Sequence, residues 1–140
     1  MRLEGFELKI VTPDGSAFEG EVQSIVVRTT TGDVGILRNH VNYVATIDFG
    51  SLKITLPDGK ERTASCMNGF VSVDHNLVRV IVTTFEFADE IDLGRAKRAK
   101  EKAEQRLAEK KSDEELRLAK AKLLRALNRI RVSENFTQNN

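Results

Sequence analysis

The sequence predicts an all-β antiparallel module followed by a C-terminal α-helical hairpin. Three observations carry that expectation. Apolar residues alternate with a period of two as far as residue 84. Turn signals recur in that part roughly every eight to twelve residues, with no helical interruption, as in antiparallel sandwiches and barrels. From Asp89 the apolar period becomes 3.6, the repeat of a helix.

The strand signals run in order from the N-terminus. Phe6, Leu8 and Ile10 alternate with Glu7 and Lys9 before the turn "TPDG" at 12–15. "SIVVRTT" (24–30) is rich in β-branched residues and stops at "TGD". "SLKITL" (51–56) meets "PDG" (57–59), and "KERTASC" (60–66) alternates beyond it as a hairpin partner. "GFVSVDHNLVRVIV" (69–82) reads as two strands about a tight "DHN" turn. The domain expected from these signals covers 1–87.

The helical hairpin is expected over 88–132, with 133–140 as a frayed tail. Ala96, Ala99, Ala103 and Leu107 mark the stripe of a first helix. A break falls at "KKSDEE", where Ser112 and Glu115 stand three apart as in a capping box. Leu116, Ala119, Leu123, Leu127 and Ile130 mark a second stripe. Each helix is expected to run roughly 20 residues, or about 30 Å. The alanine stripe buries little, at about 0.8 kcal/mol per methyl. Strong helices on a weak seam can come apart without unwinding.

Composition bounds the function. The 140 residues are 40% hydrophobic and 31% charged with a net charge of +1, as in soluble globular chains. No apolar run approaches the ~20 residues of a membrane span. "MRLEGFELKIVTPDG" carries no secretory or transit pattern, which leads us to expect a cytoplasmic start. A single cysteine, Cys66, excludes an internal disulfide and reads as a buried apolar residue. Residues 1–87 hold 8 Lys and Arg against 11 Asp and Glu, whereas residues 88–131 hold 14 against 9. The anion-binding half is therefore the helical one.

Catalytic and metal signatures are absent. The sequence has no G-x-x-x-x-G-K-[ST] loop, no G-x-S-x-G elbow, no H-E-x-x-H and no C-x-x-C. His40 and His75 both fall in turn-like stretches. No catalytic or metal site is expected. The helices interleave acids with bases and hold no aromatic for base stacking, which argues against nucleic acid as a partner.

Several separated features resemble the epsilon subunit of bacterial F-type ATP synthases. They are "GDVGIL" followed by "NH", "GFVSV" followed by Asn76 and "VRVIV", and "IDLGRA" at the opening of the helices. Their order and spacing fit over residues 3–132. One departure is Arg38, where the family often has proline. The resemblance implies a non-catalytic subunit with a flattened sandwich of about ten strands. That sandwich would grip the gamma subunit of the rotor and touch the c-subunit ring, peripheral to the cytoplasmic face of the cell membrane. It also implies a hairpin of two states: folded down it permits catalysis, and extended toward the alpha and beta subunits of the catalytic head it inhibits ATP hydrolysis.

In part of that family "I-D-x-x-R-A" belongs to a regulatory ATP site, matched here by Ile91, Asp92, Arg95 and Ala96. The resemblance carries over Glu86 as an acid before the helix. It places Lys102 where arginine is usual, and Arg125 and Arg129 as a pair on the second helix. Two arginines one turn apart share a helix face and can hold phosphate oxygens in forks. On that reading Asp92 accepts from the adenine amino group and Ala96 leaves room for the ring. A plainer reading stands beside it. Asp89 is the N-cap and Asp92 its N3 partner, both answering the helix dipole, Arg95 pairs with Asp92, and the second-helix arginines serve contacts with other subunits.

Overall fold

The computed structural model describes residues 4–109 and 112–138. The chain divides into two compact units, Met1–Phe87 and Ala88–Asn140.

The first unit has seven strands: β1 (Phe6–Thr12), β2 (Gly15–Val22), β3 (Ser24–Thr29), β4 (Gly32–Leu37), β5 (Tyr43–Thr55), β6 (Glu61–Asp74) and β7 (Leu77–Phe87). They form one sheet in the order β2-β1-β7-β6-β5-β3-β4. Both expected hairpins are present: Leu52 faces Ala64 across β5 and β6, and Val73 faces Val78 across β6 and β7. One pair is parallel, β1 with β7, in which Leu8 lies beside Val78 and Ile10 beside Val80. The first strand thus closes on the last, a long-range pairing without a local signal.

The count of seven, where about ten strands are expected, has a physical origin. β5, β6 and β7 run 13, 14 and 11 residues, and each changes its buried face part-way. In β5 the buried side passes from Ile47 to Leu52 and Ile54. In β6 it passes from Ala64 and Cys66 to Val71 and Val73, and in β7 from Val78, Val80 and Val82 to Phe87. Since strand side chains alternate with a strict period of two, an even-to-odd change means a bend. Each long strand therefore serves both layers of the fold, enclosing one core of Leu8, Ile10, Ile25, Ile36, Ile54, Val71 and Val80. Gly69 marks the bend in β6, because a Cβ there would stand 1.8 Å from the Ile81 carbonyl oxygen. Its neighbour Asn68 takes φ +56°.

Arg38, at the position where proline is frequent in the resembled family, has its own role. Its Nη1 donates to the Gly5 carbonyl at 3.1 Å and its Nε lies 3.4 Å from Glu4. The guanidinium ties the start of the chain to the end of β4. Cys66 is fully buried, and desolvation pushes its thiol up to about 12.

The second unit opens with one 3-10 turn, Ala88–Glu90, and continues as α1 (Leu93–Ala108) and α2 (Asp113–Gln138). The cap of α1 is Asp92, and Asp89 sits back in the 3-10 turn. The reading of Asp89 as N-cap is corrected on that point: the backbone reaches helical form only after Asp92. Ser112 caps α2 as expected, its Oγ accepting from the Glu115 N–H at 3.3 Å. Lys110 and Lys111 of the expected break lie outside the described residues.

α2 passes through the segment read as a frayed tail and ends at Gln138. Packing explains the extension, since Val132 and Phe136 gather with Ala88 and Ile91 in a small apolar cluster. The stripes also shift. Ala99 is exposed and Leu127 is 40% exposed, whereas Ala103, Ala119 and Ala126 are each 2% exposed. Ala96 and Ala103 stand seven apart, as do Ala119, Ala126 and Ser133. That spacing gives each helix a line of small residues, and round α2 Leu116, Leu123 and Ile130 lie roughly 50° from its line and Leu127 roughly 100°. The leucines border the small-residue line.

Candidate functional site: a cationic groove along the hairpin

The start of α1 is built from the expected motif. The Oδ1 of Asp92 accepts from the Arg95 N–H at 3.0 Å, and its carbonyl accepts from Ala96 N–H at 3.0 Å. An acid at this point also answers the positive end of the helix dipole. Ile91 is 9% exposed and packs with Val132 and Phe136 near the far end of α2. The two helices therefore run antiparallel, with the start of α1 beside the end of α2.

Between them lies an open groove of about 280 Å³ lined by Arg95, Ala99, Lys102, Ala103, Arg106, Lys122, Arg125, Ala126 and Arg129. Arg95, Ala99, Lys102 and Arg106 follow one another at four, three and four residues along one face of α1. On α2, Lys122, Arg125 and Arg129 follow at three and four residues, with Ala126 next to Arg125. Among the described residues six cations thus line the groove, and no acid does. Toward the hairpin turn it gives way to a second depression lined by Arg106, Glu109, Glu115, Leu118, Ala119 and Lys122. Arg106 and Lys122 border both. A multivalent anion is the ligand such a surface favours.

Of the residues expected to form the site, Arg95, Lys102, Arg125 and Arg129 converge on the groove. Asp92 caps α1. Ile91 belongs to the apolar cluster, and Ala96 is fully buried one heptad before Ala103 on the same helix face. Glu86 lies on β7 opposite Ser65, in the sheet unit. Sequence reading missed Arg106 and Lys122, although their four-residue step from Lys102 and seven-residue step from Arg129 were available as a signal.

The motif residues in the sheet unit also come together. "GDVGIL" is the whole of β4, and Asn39 just beyond it bonds Asn76, which follows "GFVSV". Residues 5–88 match the family described as ATP synthase, Delta/Epsilon chain, beta-sandwich domain, and residues 89–134 match its long alpha-helix domain.

The chain belongs to the ATP synthase epsilon-chain family.

Individual relatives agree. The chain is 41% identical over 129 residues to the ATP synthase epsilon chain of Ruminococcus albus, covering 91% of this chain and 96% of that one. It is 40% identical over 129 residues to the ATP synthase epsilon chain of Caldicellulosiruptor bescii, covering 92% and 93% respectively. In fold it resembles a chain of the Euglena gracilis mitochondrial ATP synthase, with a TM-score of 0.71 at 20% identity over 97% of this chain and 81% of that one. As an epsilon chain it is a non-catalytic part of the synthase's central stalk, the catalytic sites lying in other subunits. Among the described residues no helix is long and apolar enough to cross a membrane.

Proposed function

We propose that the chain is the regulatory epsilon subunit of a bacterial F-type ATP synthase, and that its hairpin groove binds ATP without turning it over. The sheet unit grips the gamma subunit and meets the c-subunit ring, peripheral to the cytoplasmic face of the membrane. The hairpin inhibits ATP hydrolysis when it opens toward the alpha and beta subunits.

One observation carries the nucleotide reading: six cations meet in a groove formed by two helices, and separating the helices divides them. An anion spanning the groove therefore stabilises the docked hairpin. Linkage sets the size of the effect, about 2.7 kcal/mol at a hundredfold excess over Kd. The seam it supports rests largely on alanine methyls at about 0.8 kcal/mol each. The two are of similar size, so ligand decides the population. Lys102 keeps the charge of the usual arginine and loses its planar fork, which weakens the grip.

A second reading has its own support. The Asp92 carboxylate already serves as a cap, a sufficient reason for an acid at that position. On this reading the chain is the same rotor subunit without a nucleotide site. Isothermal calorimetry of the full chain with ATP separates the two. Saturable one-to-one heat that Arg125→Ala removes supports the groove, and no heat at millimolar ATP leaves capping and subunit contacts alone.

A further inference from the structure

The groove has more cations than the expected site. Arg106 and Lys122 extend it toward the hairpin turn, so that α1 presents charge from Arg95 to Arg106 and α2 from Lys122 to Arg129. At 1.5 Å per residue these rails measure roughly 16 and 10 Å. Beyond Arg106 and Lys122 the described lining includes Glu109 and Glu115. The remaining lining is alanine: Ala99, Ala103 and Ala126. Among the groove residues there is no aromatic to stack a base and no amide to read its edge.

We propose that the groove recognises a linear chain of three or more phosphates, and that Arg106 and Lys122 hold its end nearest the hairpin turn. A single phosphate engages one or two cations, whereas a condensed chain carries charge along its length and meets both rails. Guanidinium forks hold successive phosphoryl oxygens, and the lysines add point charges between them. The chemistry is shared by the tail of a nucleoside triphosphate and by free inorganic polyphosphate. The inference rests on the same groove as the nucleotide reading and does not require the adenine contacts.

The test is calorimetry of the full chain in low-salt buffer without divalent cations, using sodium tripolyphosphate, ATP, AMP and orthophosphate. Tripolyphosphate is expected to bind one to one within about tenfold of ATP and to displace it. AMP and orthophosphate should bind about a hundredfold more weakly, since each lost charge-assisted contact costs roughly a factor of ten. Arg106→Gln with Lys122→Gln should lower tripolyphosphate affinity about tenfold or more. Lys97→Gln, on α1 but outside the groove, should leave it unchanged. Gln matches both replaced residues in helix propensity, so unchanged circular dichroism certifies the fold. Raising salt from roughly 50 to 300 mM should weaken binding throughout.

If ATP binds and tripolyphosphate neither binds nor displaces it, the phosphate-chain inference is overturned while the nucleotide reading stands. If tripolyphosphate binds and ATP does not, the nucleotide reading falls, and with it the shared recognition of a nucleoside triphosphate tail, leaving the free phosphate chain as the ligand. If neither binds, both fall. Unchanged affinity in the double variant removes Arg106 and Lys122 from the track.

Discussion

Asn39 and Asn76, thirty-seven residues apart, bond each other in both directions: the Asn39 N–H donates to Asn76 Oδ1 at 2.6 Å, and Asn76 Nδ2 donates to Asn39 Oδ1 at 3.0 Å. Both take positive φ, 65° and 64°. Asparagine tolerates that conformation better than most side chains and brings the amide that joins the two loops. Replacing Asn76 with alanine removes both bonds and leaves φ strained. We expect a loss of about 1–2 kcal/mol in urea unfolding of the sheet unit. Asn76→Gly relieves φ and should lose less. Equal losses would show that backbone conformation contributes nothing at this turn.

Gly69→Ala should be the most damaging alanine substitution in the sheet. Its Cβ would fall 1.8 Å from the Ile81 carbonyl oxygen, a backbone atom that moves only with β7. The expected cost exceeds about 3 kcal/mol. Gly20→Ala meets nothing closer than Phe18 at 3.9 Å and should be nearly neutral. Denaturant midpoints of the two variants provide the comparison.

Ala103→Leu and Ala126→Leu overfill the line of small residues between the helices, at about 1–3 kcal/mol each. Docking should weaken while helix content by circular dichroism holds. Spin labels at positions 97 and 120, both exposed, should give a broadened distance distribution. An unchanged distribution would show that the helices are held by something other than that line.

Asp92→Ala removes the cap of α1 and should cost about 1 kcal/mol, whereas Asp92→Asn keeps it and should cost little. ATP affinity separates the two roles of the residue. If Asn preserves stability and ATP binding falls, Asp92 touches the nucleotide as well. Arg125→Ala should weaken ATP binding without a comparable loss of stability.

Cys66 should resist alkylation at pH 8 in the folded chain and react on unfolding, because desolvation raises its thiol from 9.0 to about 12. The folded state prefers the neutral thiol, so this contribution to stability is complete below pH 9. It is lost as pH rises toward 12. Urea unfolding from pH 8 to 11 should follow that decline more steeply than in Cys66→Ala.

The sequence by itself determined the division of labour. Period-two alternation from Phe6 to Val82 and 3.6 periodicity after Asp89 are local patterns, and local patterns are what burial on one face writes into a chain. The same holds for the capping pair Ser112 and Glu115 and for the cation pair Arg125 and Arg129. Only the tertiary structure decided which strands meet, because the parallel pairing of β1 with β7 depends on residues about seventy apart. It also decided that three long strands bend rather than stop, since Gly69 reveals its tight site only once β7 lies against it. In the hairpin, size overruled hydrophobicity: close packing selected Ala126 over Leu127, and that choice set Arg106 and Lys122 beside the cations already legible as a site.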